Sequence, residues 1–391
     1  MITSTSRSAV SHISPVSPAY DPWDPIHSLR KYGRHVLTSV EFTVTHLCNM
    51  RCEHCAVGDT LTMTEGELIP LSKVLSRLDK VEHLETISIT GGEPSYRLST
   101  IRNYIIPILK YARERGVKTQ LNSNLTLDYA RYEEIAPHLD VMHISFNYEN
   151  ADDFHAVCFA KSPHPVGAKT AMKLYEQMMD NAARLARGGL FVSAESMINY
   201  RTHRKLAAIH RLIGEMGCRR HEVHPMYTSD FASGLPVLPL GELRTAIGSL
   251  LDARDPDIWM LFGTLPFFHC NPDEEDQRLL RRLKREPNVT VRNDPDGRNR
   301  LNVNLFTGDL TVTDFADVSP LGNLHRDEFD DVFERWRSHP LYAKTNCYCP
   351  SVGCCGPNLL VMDTWYPDTD FTVRQALPSS GRGGEPCRSN R

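Results

Sequence analysis

Between about residues 39 and 230, short β-branched or apolar runs recur with room for a helix between most of them. The runs are SVEFTVT (39–45), ETISIT (85–90), VKTQLN (117–122), VMHISFN (141–147), LFVSAESM (190–197) and RHEVHPM (220–226). Their composition predicts strands. Helical periodicity occupies the intervals. One stretch runs from Ser99 to Arg115, with Ser99 placed to cap its start and Gly116 its end. Others are Lys169–Arg187, closed by Gly188 and Gly189, and Arg201–Met216, closed by Gly217. Six strands alternating with helices predict parallel βαβ units with right-handed crossovers, in a full or partial α/β barrel or a doubly wound sheet. In either, chemistry belongs to the loops at the C-terminal ends of the strands.

After about residue 235 the pattern changes. GELRTAIGSLLDAR and PDEEDQRLLRRLKRE predict helices, LNVNLFTGDLTVTDF a β-hairpin turning at Thr307-Gly308-Asp309, and DEFDDVFERWRSH another helix. A cysteine-dense loop, CYCPSVGCCGPN, follows. The expected organisation is a loosely ordered N-terminal arm (1–36) that docks, if at all, through Trp23 and Tyr20. A core (37–235), a C-terminal α+β unit (236–377) and a mobile tail (378–391) follow, with the core boundary near 235–255.

Composition narrows the field. A chain of 391 residues exceeds one typical domain, and 41% hydrophobic with 24% charged residues is ordinary for a globular protein with a sizeable core. Lys+Arg 44 against Asp+Glu 48 leaves −4, without the basic excess of a nucleic-acid or anionic-membrane binder. No run approaches a transmembrane span. The unusual feature is 11 cysteines, an odd number, with no signal-peptide pattern at the N-terminus. Reduced thiols in a cytoplasmic protein, available for metal or redox chemistry, are therefore expected.

Cys48, Cys52 and Cys55 follow the first predicted strand as Cys-x3-Cys-x2-Cys, and three thiolates on so short a loop can meet at one metal centre. A structural zinc site wants a fourth ligand, which His46 or His54 could supply. An iron–sulfur cluster held by three thiolates leaves one iron open to another ligand.

This spacing resembles the signature of the radical S-adenosylmethionine (SAM) enzymes. The resemblance implies a partial (β/α)6 TIM-like barrel whose three cysteines hold a 4Fe–4S cluster. SAM chelates the fourth iron, and one-electron reduction cleaves it to methionine and a 5′-deoxyadenosyl radical. It implies that His54 lies against the adenine. Gly91-Gly92-Glu93-Pro94, directly after the second strand, matches the family's motif for the methionine amino group. Asn122-Ser123-Asn124, Ser145 and Glu195, on or at the ends of the third to fifth strands, are the further SAM-side candidates, with Asn199 closing the fifth. GGEP recurs at Gly383–Pro386 in the tail without a preceding strand, and that copy is given no role.

Cys347, Cys349 and Cys354 form Cys-x-Cys-x4-Cys, with Cys355 adjacent and Cys270 upstream. A zinc knuckle or a second iron–sulfur cluster would account for such density. The preferred set is Cys270, Cys347, Cys349 and Cys354 holding an auxiliary 4Fe–4S cluster, with Cys355 the alternative fourth ligand. The hairpin, helix and cysteine loop together resemble the auxiliary-cluster domains called SPASM and twitch. The closest resemblance is to the radical SAM group named for its Cys-x-Cys-x4-Cys motif (YfkAB-type). It departs from SPASM domains in carrying Asp314 on the hairpin where they carry a cysteine.

Cys158, in a loop expected over the barrel mouth, and Asp314 are the candidate catalytic residues, as hydrogen-atom donor or substrate contact and as substrate-side base or cluster ligand. Cys218 reads as a buried small hydrophobe and Cys387 as inert. The resemblance thus implies a radical SAM enzyme acting on a peptide, protein or small-molecule substrate, fed by an electron donor such as flavodoxin or ferredoxin, without nucleic-acid or membrane partners. The competing reading is a non-enzymatic zinc or iron–sulfur regulator or electron carrier.

Overall fold

The computed structural model describes residues 15–375. Strands stand at all six expected places: β1 (Ser39–Thr43), β2 (Thr86–Thr90), β3 (Lys118–Ser123), β4 (Val141–Ser145), β5 (Phe191–Ile198) and β6 (Arg220–Pro225). α1 (Ile26–Tyr32) precedes them. α2 (Leu71–Leu78), α3 (Leu98–Thr100), α4 (Ile106–Glu114), α5 (Tyr129–Ile135), α6 (Ala151–Cys158), α7 (Ala168–Arg187) and α8 (Leu206–Glu215) connect them. The helix expected over 99–115 is interrupted by a π-turn, Ile101–Ile105. Pro107 follows it and lacks the N–H that a regular α-turn would use. The helix expected from Arg201 begins only at Leu206. The side chain of Asn199 accepts from the amides of Arg201 and Thr202 and holds residues 199–205 as turns, so Asn199 is a cap.

The sheet does not stop at six strands. β7 (Trp259–Gly263) and β8 (Val289–Arg292) follow α9 (Leu240–Ala253) and α10 (Glu274–Arg285), and both pair in parallel. Neither was legible as a strand: β7 is uniformly apolar and β8 has only four residues. The expected hairpin forms from β9 (Arg300–Asn304) and β10 (Asp309–Thr311), with β11 (Gly322–Asn323) beyond it. β9 lies parallel to β1, placing Glu41 opposite Asn302. The strand order is therefore β11-β10-β9-β1-β2-β3-β4-β5-β6-β7-β8, and the boundary expected near 235–255 does not interrupt the sheet. α11 (Phe329–Arg337) and α12 (Leu359–Trp365) complete the chain.

The two faces of the parallel strands differ in chemistry. Val40, Phe42, Ile87, Ile89, Leu121, Met142, Ile144 and Val192 are buried in the main apolar core. Alternate positions carry Glu41, Ser88, Gln120, His143, Ser193, Glu195, Arg220 and Glu222. The interior of a closed (β/α)8 barrel is normally packed with branched apolar side chains. A polar inner face is suited instead to hold a ligand.

The N-terminal arm, expected to be loosely ordered, is fixed from residue 15. Trp23 is buried with Val16 against Val141, Phe191, Trp259 and Leu261, near the N-terminal ends of β4, β5 and β7. Its indole N–H donates to Ser88 Oγ at 3.0 Å. Asp21 pairs with Arg292 at 2.6 Å, and Arg292 with Glu222 at 2.5 Å. Burial of an indole outweighs the ordering entropy of a Ser/Pro-rich segment. Tyr20, the other expected anchor, is 46% exposed. The tail residues, including Cys387 and the second GGEP, lie outside the described residues.

Candidate functional site

The first cysteine loop leaves the C-terminal end of β1. Its shape comes from main chain meeting main chain. The amides of Gly92 and Glu93 donate to the carbonyls of Thr45 (2.8 Å) and Leu47 (2.7 Å). A Cβ on Gly91 would lie 2.4 Å from Thr45 O, and one on Gly92 2.3 Å from Leu47 O; Gly91 also has φ +142°. Only glycine allows that approach.

Cys48, Cys52 and Cys55 are partly accessible. Burial pushes the Cys48 thiol up, with the neighbouring Cys52 and Cys55 adding to the shift, and pushes Cys55 up to about 12, again with Cys52 adding. Among charged groups Arg51 alone opposes these shifts, and only at Cys55, whereas a cationic metal centre would stabilise all three thiolates. The donor set thus fits an iron–sulfur cluster. Among the described residues no three His, Cys, Asp or Glu side chains close on a single ion.

Glu93 is fully buried, and its carboxylate accepts from Ser95 N (3.1 Å), Ser95 Oγ (2.5 Å), Ser123 Oγ (2.9 Å) and Asn124 N (2.8 Å). These bonds oppose the upward push of its burial. Expected as an acceptor for a ligand ammonium, the Glu93 side chain is instead saturated by the protein and fastens the GGEP loop to the end of β3. Pro94 and Ser123 are buried with it. Asn124 Nδ2 donates to Asn49 Oδ1 (3.0 Å) and approaches Cys48 Sγ (3.9 Å), so this side chain stands beside the cysteine loop. Asn122 accepts from Gln120 on the inner face, and Ser145 accepts weakly from Asn147.

Glu195 also projects from the inner face. It is gripped by His143 Nε2 at 2.7 Å and by His224 Nε2. Burial opposes its ionisation, but the histidines prevail and hold it well below the usual carboxylate range. Burial disfavours a charged His224, yet Glu195 outweighs it and raises His224 to about 9. His54 lies within the field of Glu195 and His224, and burial lowers it to about 4. Neither His143 nor His224 was singled out from the sequence. The polar alternation within MHIS and HEVHP was the available signal.

Cys158 is not on a loop over the barrel mouth. It ends α6, whose N-cap Asn150 and apolar face of Phe154 and Val157 favour helix. It is fully buried behind the first cysteine loop, donating to Tyr148 Oη at 2.8 Å and pushing the neighbouring Cys52 thiol up, while its carbonyl accepts from Arg51 N at 2.9 Å. The position is that of a support for the loop. Glu53, between Cys52 and His54, is buried and clamped by Arg201 Nη2 (2.9 Å) and Tyr200 Oη (3.1 Å).

The second cysteine set gathers Cys270, Cys347 and Cys354. Burial pushes Cys270 up to about 11, Arg374 opposing and Cys354 and Cys347 adding. Cys349 and Cys354 face each other across a short antiparallel bridge (N–H to O, 2.8 and 3.2 Å). Cys355, the alternative ligand, is wholly buried against Ile26 and Leu29 of α1. Arg298, which sequence reasoning missed, is fully buried. Its guanidinium donates to the carbonyls of Thr345, Asp294, Cys355, Gly356 and Pro357 at 2.9–3.2 Å. A cavity of about 300 Å³ opens beside this loop, with Cys354, His269 and Asp294 in its wall. All ten cysteines among the described residues are free thiols.

Asp314 is solvent-accessible at the end of the hairpin. Desolvation, then Asp296 and Glu41, push it up to about 6 against Arg300 and Asn302.

Comparison with known proteins identifies the family. Residues 42–213 match the radical SAM superfamily, and residues 226–376 match the YfkB-like domain. The Bacillus subtilis (strain 168) protein YfkA is 53% identical over 365 residues, covering 93% of this chain and 98% of that protein. Among solved structures, Streptococcus suis SuiB bound to S-adenosylmethionine superposes with a TM-score of 0.56 at 13% identity, over 81% of this chain and 69% of that one. The enzyme anSMEcpe with bound AdoMet and the Cp18Cys peptide gives 0.54 at 13% identity, over 78% and 83%. At such identities the two structures speak for the fold alone. Among the described residues no helix is long and apolar enough to cross a membrane. The chain belongs to the radical SAM enzymes, in the group of YfkA, with a C-terminal YfkB-like domain.

Proposed function

We propose that Cys48, Cys52 and Cys55 hold a 4Fe–4S cluster, and that SAM lies between it, the Gly91-Gly92 main chain, Asn124 and His54. The observation that carries this is the placing of three cysteines, with Cys48 and Cys55 both in the field of Cys52, on one short loop against which the Gly-Gly main chain is packed too closely for any side chain. Bound there, the cluster and SAM would supply a 5′-deoxyadenosyl radical on one-electron reduction. The chain's own residues orient and enclose. Arg201 and Tyr200 fix the loop through Glu53, Trp23 closes the opposite end of the polar interior, and Glu195 with its two histidines presents a fixed charge near His54.

We infer a second 4Fe–4S cluster on Cys270, Cys347, Cys349 and Cys354. Burial of Cys355 against α1 supports that ligand set over the alternative. The substrate is a peptide or protein side chain or a small molecule, the electron donor a flavodoxin- or ferredoxin-type carrier, and the setting the reducing cytoplasm. SuiB and anSMEcpe, solved with peptides, are consistent with the first of these substrate classes.

Anaerobic iron–sulfur reconstitution followed by SAM and a reductant tests the reading. Release of 5′-deoxyadenosine that disappears in Cys52→Ala is expected. Stoichiometric zinc with SAM left intact would overturn it in favour of a metal-binding regulator. Iron counting on Cys349→Ala reports on the second cluster separately.

A further inference from the structure

The inner faces of β1 and β9 carry an unbalanced acidic cluster. Glu41, Asp296 and Asp314 surround one cation, Arg300, which pairs with Asp296 and lies 3.7 Å from Glu41. The remaining neighbours do not redress the balance: the nearby Glu195 consumes His143 and His224. Asn302 sits directly across the β1–β9 ladder from Glu41, and so on the same face. It is 8% exposed; its Nδ2 donates to Asp314 Oδ2 at 3.4 Å, and its Oδ1 is buried without a partner. That orientation is chemically dictated, since turning the amide would set its oxygen against the carboxylate. A buried amide oxygen without a donor costs about 1–3 kcal/mol unless a ligand supplies one.

We propose that Glu41, Asp314 and Asn302 form a subsite for a protonated amine on the substrate. An alkylammonium has three donors and one positive charge. The cluster offers two carboxylates and one unsatisfied carbonyl oxygen, and it carries surplus negative charge. A ligand carboxylate or phosphate would meet three carboxylates there against one guanidinium, whose Nη atoms already face Asp296 and Glu41 and whose Nε alone is without a partner. Burial, then Asp296 and Glu195, hold Glu41 above its usual range, and partial desolvation with Asp296 and Glu41 does the same for Asp314, a state a bound cation would relieve. Asp314, accessible to solvent, marks the open side. The next residue, Phe315, packs against the apolar group that contains Cys270, so the subsite lies between the polar barrel interior and the second cysteine set.

This deepens the radical SAM reading, which it needs only for calling the bound amine a substrate. Calorimetric titration of the reconstituted enzyme with SAM uses three probes: acetyl-Gly-Lys-Gly-amide, its norleucine counterpart, and n-butylamine. The lysine peptide is expected to bind at least tenfold more tightly than the norleucine peptide, with that preference lost in E41Q and in D314N. Because Asp314 is exposed, D314N is informative even if E41Q misfolds. Tighter binding of the peptide than of butylamine assigns the ammonium to a peptide side chain, and the reverse to a small molecule. Equal binding of lysine and norleucine peptides, or Mg2+ occupying the site in place of either amine, overturns the proposal. Amine discrimination without SAM cleavage would overturn the radical reading alone, and SAM cleavage without discrimination the subsite alone.

Discussion

The two cysteine loops are held in shape by opposite means. The Cys48–Cys55 loop is moulded by main chain against main chain, with Gly91 and Gly92 leaving no space for a Cβ. The Cys347–Cys355 loop is gathered around one buried guanidinium, Arg298, whose contact with Cys355 spans 57 residues of sequence. Close approach leaves a local mark in the sequence, because only glycine permits it. A buried hub leaves none, because one arginine among many looks like any other.

The largest effect is expected where the first loop allows no relaxation. Gly91→Ala places a methyl carbon 2.4 Å from a carbonyl oxygen at a positive φ. Such strain and overpacking cost about 3 kcal/mol or more. Chemical denaturation should show that loss, and reconstitution should return iron only to the second site. A variant that keeps both its stability and its full iron content would break the distinction between the loops. Next comes Arg298→Met, which leaves five carbonyls without their donor and should cost about 3 kcal/mol, with iron lost from the second site and SAM cleavage reduced far less. Loss of iron from both sites in equal measure would mean that the loops are not independently built.

What was legible follows the same division. β1 to β6 were legible because each is a short β-rich run bounded by a helical period, and the first cysteine loop because spacing and glycine pair are local. Glu93 was found but its role was not, because only the fold brings Ser123 and Asn124 to its carboxylate. The arm looked unstructured because its order rests on one indole, Trp23, and on Asp21 meeting Arg292 across 271 positions. β7 lacks alternation, so its apolar run reads equally well as buried helix. Cys158 was placed on a loop because the proline-bearing stretch behind it hid the end of α6.

A smaller effect sharpens the comparison within the second loop. Cys355 is fully buried against Ile26 and Leu29, whereas Cys349 is bridged to Cys354. Cys355→Ala should cost about 1–2 kcal/mol by loss of packing and leave iron content unchanged. Cys349→Ala should remove iron from the second site at little cost in apolar packing. Exchange of these two outcomes would make Cys355 the fourth ligand.

The smallest effect lies in the arm's grip on that loop. Asp24 accepts from Ile26 N and from Asn293 Nδ2, and Asn293 Oδ1 in turn accepts from the amide of Cys355. Burial raises Asp24 from 3.8 to about 6, its hydrogen bonds only partly opposing, so the folded chain retains a proton that the unfolded chain has released. An acid raised in this way withdraws stability as pH climbs from about 4 through about 6, and the loss persists above that. An asparagine at this position would keep an acceptor oxygen and carry no charge. Asp24→Asn should therefore gain on the parent protein by about 1 kcal/mol between pH 5 and pH 7.5, measured by denaturant midpoints at each pH. A constant difference across that interval would place the ionised carboxylate in the native network, and the second loop would then rest on a charge at each end, Asp24 as well as Arg298.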